Sequence, residues 1–320
     1  MAFAVLHSVK DWSARFDKAG GATAVTIGNF DGVHKGHQKI LQRAHDLAVE
    51  QKLLSAVLTF YPHPARVLRP SSAPPLLLTL EQRLAAIEAM GIDAVLVLRF
   101  DEGIAKVGPE DFVRGFLVDA MRAKAVLIGG NFRFGYRQAG DAKLLVELGQ
   151  RWGFETQIVP PVIVDGIAVS STAIRQAIRE GQVAEARKLL GKPFALGGEI
   201  RPGTGQGRKL VVPTLNLFTQ QELLPKNGVY ATEVVVEGKI YRAATNVGVR
   251  PTFNGAGVSI ESHLFDFGET LTGGQLEVRF WSRLRDEAKF SGPEALKAQV
   301  LSDLKRTQEY FRQAGPAKRR

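Results

Sequence analysis

The sequence predicts two domains, an α/β domain on a parallel sheet and then a small closed antiparallel β-barrel with a terminal helix. Three observations carry this. Up to about residue 190, short apolar runs alternate with amphipathic stretches of helical period, the pattern of βαβ units whose sheet is covered on both faces. Beyond Gly191 the content of Gly, Thr and Val rises, and alternating segments are separated by turns at Glu237-Gly238 and Gly273-Gly274, the pattern of antiparallel strands. The last stretch, from about Pro293 to Gln313, offers Leu296, Val300, Leu304 and Tyr310 to the apolar face of one long helix. The change of character gives domains 1–188 and 189–320, each long enough to hold its own core.

In chain order, the apolar run Thr23 to Ile27 reads as a buried strand, and Gln38 to Lys52 as a helix with Ile40, Leu41, Ala44, Leu47 and Ala48 inward. Between them lies Gly28-Asn29-Phe30-Asp31-Gly32-Val33-His34-Lys35-Gly36-His37. A strand, a glycine-punctuated turn and a helix start bring N–H groups and the helix dipole to one point, which favours a phosphate. His34 and His37 can donate ring N–H bonds there, and Gly36 lets a ligand approach the main chain. A tight turn with two solvated histidines, or half a metal site, is the plainer reading. Ser55 to Phe60 is a second strand, left at Tyr61-Pro62-His63-Pro64 because proline lacks a ladder donor. Thr79 and Gln82 form a capping box for a helix closed by Gly91. A strand at Asp93 to Phe100, a helix at Pro109 to Ala123 and a strand at Ala125 to Gly129 follow.

Ligands of such sheets bind beyond the carboxyl ends of strands, where the loops after Ile27, Phe60 and Ile128 gather. The third reads Gly129-Gly130-Asn131-Phe132-Arg133-Phe134-Gly135. Its aromatics and arginine suit a flat ring and a phosphate, or the two phenylalanines plug the core. A fourth element, Ser170-Ser171-Thr172-Ala173-Ile174-Arg175, is explained by helix capping except for Arg175, a cation that opposes the dipole unless an anion sits there.

The first of these stretches resembles the signature of the nucleotidylyltransferase superfamily, and its fuller form Gly-x-Phe-Asp-Gly-x-His-x-Gly-His is similar to the flavin branch. Ser-Ser-Thr-x-Ile-Arg resembles an element of the same branch. The resemblance implies a Rossmann-like nucleotidylyltransferase domain in which His34 and His37 stabilise the α-phosphate of ATP. It further implies Gly28, Phe30, Asp31, Gly36, Ser171, Thr172 and Arg175 as ATP or phosphate contacts, and Phe60, His63, Asn131 and Phe132 as flavin contacts.

In the second half, Gly203, Gly205 and Gly207 alternate before Arg208-Lys209, a run able to wrap phosphates with main-chain N–H groups. Thr214 and Asn216 sit two residues apart on an extended segment and offer hard oxygens on one side, suited to nucleotide-bound Mg²⁺, although an ordinary turn into a strand is the plainer reading of these residues alone. Pro213-Thr214-Leu215-Asn216 resembles the riboflavin kinase signature. So do Asn227 to Ala231, Asn246 to Phe253, Glu261 to Phe267 and Arg285 to Phe290, in family order. Together the two halves resemble the bacterial bifunctional riboflavin kinase/FAD synthetase family over nearly the whole chain. That implies Glu261 as the base for the riboflavin 5′-hydroxyl, Thr214 and Asn216 as holders of Mg²⁺ and ATP phosphates, and Arg285, Glu287 and Phe290 as flavin contacts of the kinase. Departures are Asn131 in place of Asp, Leu215 in place of Ala, Val211-Val212 in place of Gly-Phe, and Gly268 to Gly273 in place of Asp-Leu-Tyr-Gly.

Composition narrows the alternatives. The chain of 320 residues has 0 cysteines, so it has no disulfide framework, thiolate metal site or cysteine nucleophile, and a reducing cytoplasm is the simplest setting. No apolar run of about eighteen residues occurs, nor a signal-peptide series. A formal charge of +10 suits anionic partners without choosing among them. The expected partners are ATP, riboflavin and FMN, with FAD as product and Mg²⁺ as cofactor. Neither nucleic acid nor membrane is expected, and weak self-association is left open. A fragment resembling class I aminoacyl-tRNA synthetases is disfavoured by the absence of Lys-Met-Ser-Lys-Ser. The other alternative keeps one module active, with the second as a flavin- or nucleotide-binding regulator.

Overall fold

The computed structural model describes residues 2–16, 21–201, 212–252, 255–269, 271 and 273–313, with backbone only at 249–252 and 255–257. The chain divides into two compact units, Met1–Ser171 and Thr172–Arg320.

The first unit runs β1 (Ala4–Leu6), α1 (Val9–Phe16), β2 (Thr23–Ile27), α2 (Lys35–Gln51), β3 (Leu54–Tyr61), α3 (Pro64–Leu68), α4 (Leu80–Glu88) and β4 (Ala94–Arg99). It continues through α5 (Glu102–Ala105), α6 (Pro109–Phe112), β5 (Ala123–Gly129), α7 (Ala142–Trp152), β6 (Glu155–Val159) and a short hairpin, β7 (Ile163–Val164) and β8 (Ile167–Ala168). Six strands form one parallel sheet in the order β1-β4-β3-β2-β5-β6. Strand alternation sorts the apolar side chains onto the two faces. Val25, Ile27, Ala56, Leu58, Leu96 and Val126 pack on one side with Trp12 and Leu117. Val57, Val95 and Val97 pack on the other with Phe30, Leu41 and Ile87. Because both faces are covered, the strands read as continuous apolar runs, as the sequence suggested.

The chain passes from β2 to β3 to β4 in one direction and then returns to place β5 on the far side of β2. That reversal opens a crevice at the carboxyl ends of β2 and β5. β1, α1 and α3 are not among the elements expected from the sequence, and two expected helices differ in detail. Helix α2 starts at Lys35, earlier than apolar periodicity alone indicates, because His34 caps it. The helix opened by Pro109 keeps α geometry only to Phe112 and continues as a π-helix over Val113–Ala120.

The second unit begins with α8 (Ser171–Arg179, whose first residue closes the first unit) and α9 (Val183–Leu190). Six strands follow: β9 (Phe194–Arg201), β10 (Leu215–Phe218), β11 (Gly228–Val236), β12 (Lys239–Thr252), β13 (Gly255–Leu264) and β14 (Gln275–Arg285). They close a barrel in the order β10-β13-β12-β11-β14-β9, and α10 (Pro293–Gln313) ends the described chain. Among the barrel's buried side chains are Tyr230, Val234, Val247, Ile260, Val278 and Phe280. A buried hydroxyl chain joins Thr232 to Thr245 (2.7 Å) and Thr245 to Ser262 (2.8 Å), so these polar atoms are satisfied where water is excluded. Gly198 of β9 has no room for a side chain because the Phe218 carbonyl of β10 lies against it.

The inward stripe of α10 is a correction. Asp303, Thr307 and Phe311 are its buried residues, whereas Leu296, Val300, Leu304 and Tyr310 are only part-buried. The stripe is anchored by charge: the Arg285 guanidinium forks onto Asp303, at 3.0 and 2.7 Å, and the Thr307 hydroxyl donates to the Asp303 carbonyl.

Candidate active sites

In the first unit the signature loop leaves β2 at Gly28 and feeds α2. Phe30, at φ 49, and Gly32, at φ 93, bend it sharply. His34 then caps α2, its Nδ1 accepting from the His37 N–H at 3.3 Å. The two imidazoles stack at 3.6 Å between centroids and 14° between planes. Gly36 permits this, since a Cβ there would stand 3.2 Å from the His34 ring. His37 is part-buried, and its Nδ1, shut off from solvent, has no hydrogen-bond partner among the described residues. Burial first, and His34 second, push its pKa well below the ordinary histidine range. It is therefore neutral at neutral pH and keeps one ring N–H to donate.

Other expected ATP contacts in this loop carry structural duties. The Phe30 ring is 1% exposed and belongs to the core, so its side chain shapes the loop. The buried Asp31 carboxylate accepts from the N–H groups of Leu77 (3.0 Å) and Leu78 (3.2 Å), tying the loop to the segment before α4. Ser171 reaches the same residue, its hydroxyl donating to the Asp31 carbonyl at 2.9 Å. Arg175 is buried on α8.

The loops after β2, β3 and β5 enclose a cavity of about 770 Å³ at the carboxyl end of the sheet. It gathers Gly28, Phe60, Asn131 and Phe132, four residues singled out in the sequence. His63 is not on its wall. It caps α3 instead, Nδ1 accepting from the Ala65 N–H at 3.1 Å. Of the two loop phenylalanines, Phe134 is buried and Phe132 half-buried, with rings stacked at 5.6 Å. Phe134 pairs with Gly140 in both directions, which staples the loop. The sequence reading missed the cavity's cations, Arg69, Lys106 and Arg137, and the aromatic side chains Phe100, Phe112 and Tyr136. They lie in segments without a motif, and only the fold gathers them.

In the second unit, register lines up Asn216 of β10, Glu261 of β13 and Asn246 of β12 in one row. Ile260, Ser262 and Leu264 are buried in the barrel, so Glu261 and His263 belong to the outer face of this wall. The barrel lumen is thus packed, and any ligand of Glu261 lies outside it. Leu215 turns inward, leaving Thr214 and Asn216 on the face of Glu261. Ser259 donates to Glu261 Oε1 at 2.7 Å. Glu287 sits beside the row: Asn227 donates to its Oε2 at 3.3 Å, and its other oxygen lies over Gly248. Arg285, expected at the flavin, spends much of its guanidinium on Asp303 and the Asp286 carbonyl, with Phe290 at 5.9 Å from it. Gly203, Gly205, Gly207 and Arg208 lie outside the described residues.

Parallel-sheet half and barrel half together define a two-domain transferase, one domain for nucleotidyl and one for phosphoryl groups. Residues 17–173 match the family model for FAD synthetase, and residues 190–311 match that for riboflavin kinase. The bifunctional riboflavin kinase/FMN adenylyltransferase of Escherichia coli (strain K12) is 36% identical over 92% of this chain and 94% of its own length. The Pseudomonas fluorescens protein of the same name is 37% identical over 87% and 90%. A crystal structure of a macrolide-efflux protein from Streptococcus pneumoniae superposes with a TM-score of 0.85 at 30% identity, covering 96% of this chain and 99% of that one. The chain belongs to the bifunctional riboflavin kinase/FMN adenylyltransferase family, with an N-terminal FAD synthetase domain and a C-terminal riboflavin kinase domain. Both families use ATP. Among the described residues no helix is long and apolar enough to cross a membrane.

Proposed function

We propose that the two activities are carried by separate sites. In the first, ATP lies at the start of α2 and FMN in the cavity built by the loops after β2, β3 and β5. The observation that carries this reading is the stacked His34/His37 pair at the end of β2, the strand that also sends Gly28 and Asn29 into the cavity wall. Adenylyl transfer needs an FMN phosphate oxygen brought to the α-phosphorus of ATP, with pyrophosphate leaving. Two imidazole donors at a helix N-terminus stabilise the charge that grows on the α-phosphate as that bond forms. The aromatic walls suit an isoalloxazine ring and the cations its phosphate. Ser171, Thr172 and Arg175 are assigned to the ATP phosphates on the resemblance alone.

In the second site, Glu261 takes the ribityl 5′-hydroxyl proton as that oxygen attacks the γ-phosphorus of ATP and the bond to the β,γ-bridging oxygen breaks, releasing ADP. Its Oε2 makes no hydrogen bond to another described residue, which leaves an acceptor for that proton. Thr214 and Asn216, on the same face, would hold nucleotide-bound Mg²⁺, an ion that takes most of its ligands from phosphate and water. That fits a place where, among the described residues, no cluster of three or more His, Asp or Glu is assembled. When bound, the ion neutralises charge on the transferred group. ATP, riboflavin and FMN are the partners, a cytoplasmic setting fits 0 cysteines, and the activities are assigned to residues 1–188 and 189–320. The test is paired. His37→Ala and Glu261→Gln are each assayed for FMN from riboflavin and for FAD from FMN. Each variant loses one reaction and keeps the other, whereas parallel loss of both would sink the separation.

A further inference from the structure

Arg83 belongs to no motif, and its place in the fold is unusual for a cation. It projects from α4 into the protein and is 6% exposed. One guanidinium nitrogen donates to the Asn29 carbonyl at 2.6 Å and another to the Phe60 carbonyl at 3.3 Å. Those carbonyls belong to the loop leaving β2 and to the end of the adjacent strand β3, and Asn29 and Phe60 both line the cavity. The helix that carries Arg83 is itself fixed to the signature loop. Asp31 holds Leu77 and Leu78, and Thr79 then caps α4 in a capping box with Gln82. The connections close a ring, from the loop through Asp31 to α4 and back through Arg83 to the loop and to the end of β3. A planar fork spans two acceptors at a set separation, which a lysine ammonium does not do.

We propose that Arg83 is a positioning residue for FMN, fixing the distance between the Asn29 and Phe60 lips of the cavity. It touches neither substrate. It sets the width of the opening that receives the flavin and leaves the ATP side to the histidines. This rests on the reading of the cavity as the FMN pocket.

The experiment compares Arg83→Lys, Arg83→Met and Asn131→Ala in the full chain, reading KM for FMN, KM for ATP and kcat in FAD formation, with FMN formation from riboflavin as internal control. Arg83→Met is expected to raise KM for FMN about tenfold, because loss of the fork lets the Asn29 and Phe60 walls drift from the spacing that receives the flavin. Arg83→Lys should fall between it and the parent. KM for ATP and the kinase rate stay at the parent's values. The proposal is overturned if both Arg83 variants keep the parent KM for FMN while Asn131→Ala raises it, and the pocket reading then stands. It is overturned together with the pocket reading if Asn131→Ala is also without effect. It is overturned as well if KM for FMN and ATP rise together with a falling Tm, the mark of a merely structural role. Should Arg83→Met not fold, Arg83→Lys decides by the same split.

Discussion

At the scale of single residues, chemistry was easier to read than geometry. The pair His34 and His37 could be singled out as candidate phosphate donors because their spacing sits at a strand–turn–helix junction. Their stacking could not be foreseen, since it depends on Gly36 leaving room for a ring. His34→Ala or His37→Ala should lower FAD formation by roughly 10²–10³-fold, the cost of a lost transition-state donor. FMN formation should continue, as flavin chromatography of both reactions will show. The burial of His37 also has a pH signature. Its folded pKa is depressed below the ordinary value, so the unfolded chain binds the proton first as pH falls. The stabilisation is full above the unfolded pKa, near 6.5, and is lost as pH drops below it. Thermal melts at successive pH values between about 7.5 and 5.5 should show Tm falling, and His37→Gln should flatten that slope. An unchanged slope would move the titration to another group. In the kinase, Glu261→Gln keeps shape but removes the base, so FMN formation should drop on the order of 10²–10⁴-fold with FAD formation from supplied FMN intact. Near-normal FMN production would remove Glu261 from the mechanism.

At the scale of elements, periodicity located most helices and strands but not what they face. The helix α10 shows this. Its sequence offers leucines, yet the buried stripe is Asp303, Thr307 and Phe311, because β14 presents Arg285 to it. A buried carboxylate with a two-pronged arginine is costly to break from one side. Asp303→Ala should therefore destabilise the barrel unit by about 3 kcal/mol, seen as a lower denaturation midpoint in urea. Removing both partners, as Arg285→Met with Asp303→Leu, should recover much of that loss. A mild single-variant effect would mean that α10 is held by Phe311 packing instead. Strand β9 was illegible for a related reason. Glycines at Gly197 and Gly198 look like a loop, and only the approach of the β10 backbone explains Gly198 in a strand.

At the scale of the whole molecule, the change of composition near Gly191 marks where the barrel strands begin, whereas packing divides the chain at Ser171. Within the second unit, Gly191 ends α9, a helix packed on β9 and β14. Arg187 of α9 stacks over Trp281 at 4.7 Å, and Val183, Ala186, Leu189 and Leu190 are buried. Residues 172–320 expressed alone should fold and phosphorylate riboflavin. Residues 194–320 should lose on the order of 5 kcal/mol of burial and melt well below the longer piece. Equal melting of the two pieces would detach α9 from the barrel's stability, and a folded 172–320 that forms no FMN would argue against independent modules.

The sequence by itself determined the two-domain order, the parallel sheet and the barrel, which follow from local periodicity. It also singled out His34, His37 and Glu261 as candidates, with roles that rest on the family resemblance and on their proposed sites. Tertiary structure alone decided that Phe30 and Asp31 serve the loop's shape, that Arg285 holds a helix, and that Glu261 lies on the outside of a packed barrel. It alone brought Arg69, Lys106 and Arg137 to one cavity and set the buried fork of Arg83 behind that cavity's Asn29 and Phe60. The reason is physical. A side chain's partners are set by sheet order, strand register and the free space left by distant glycines, none of which is encoded within reach of a single motif.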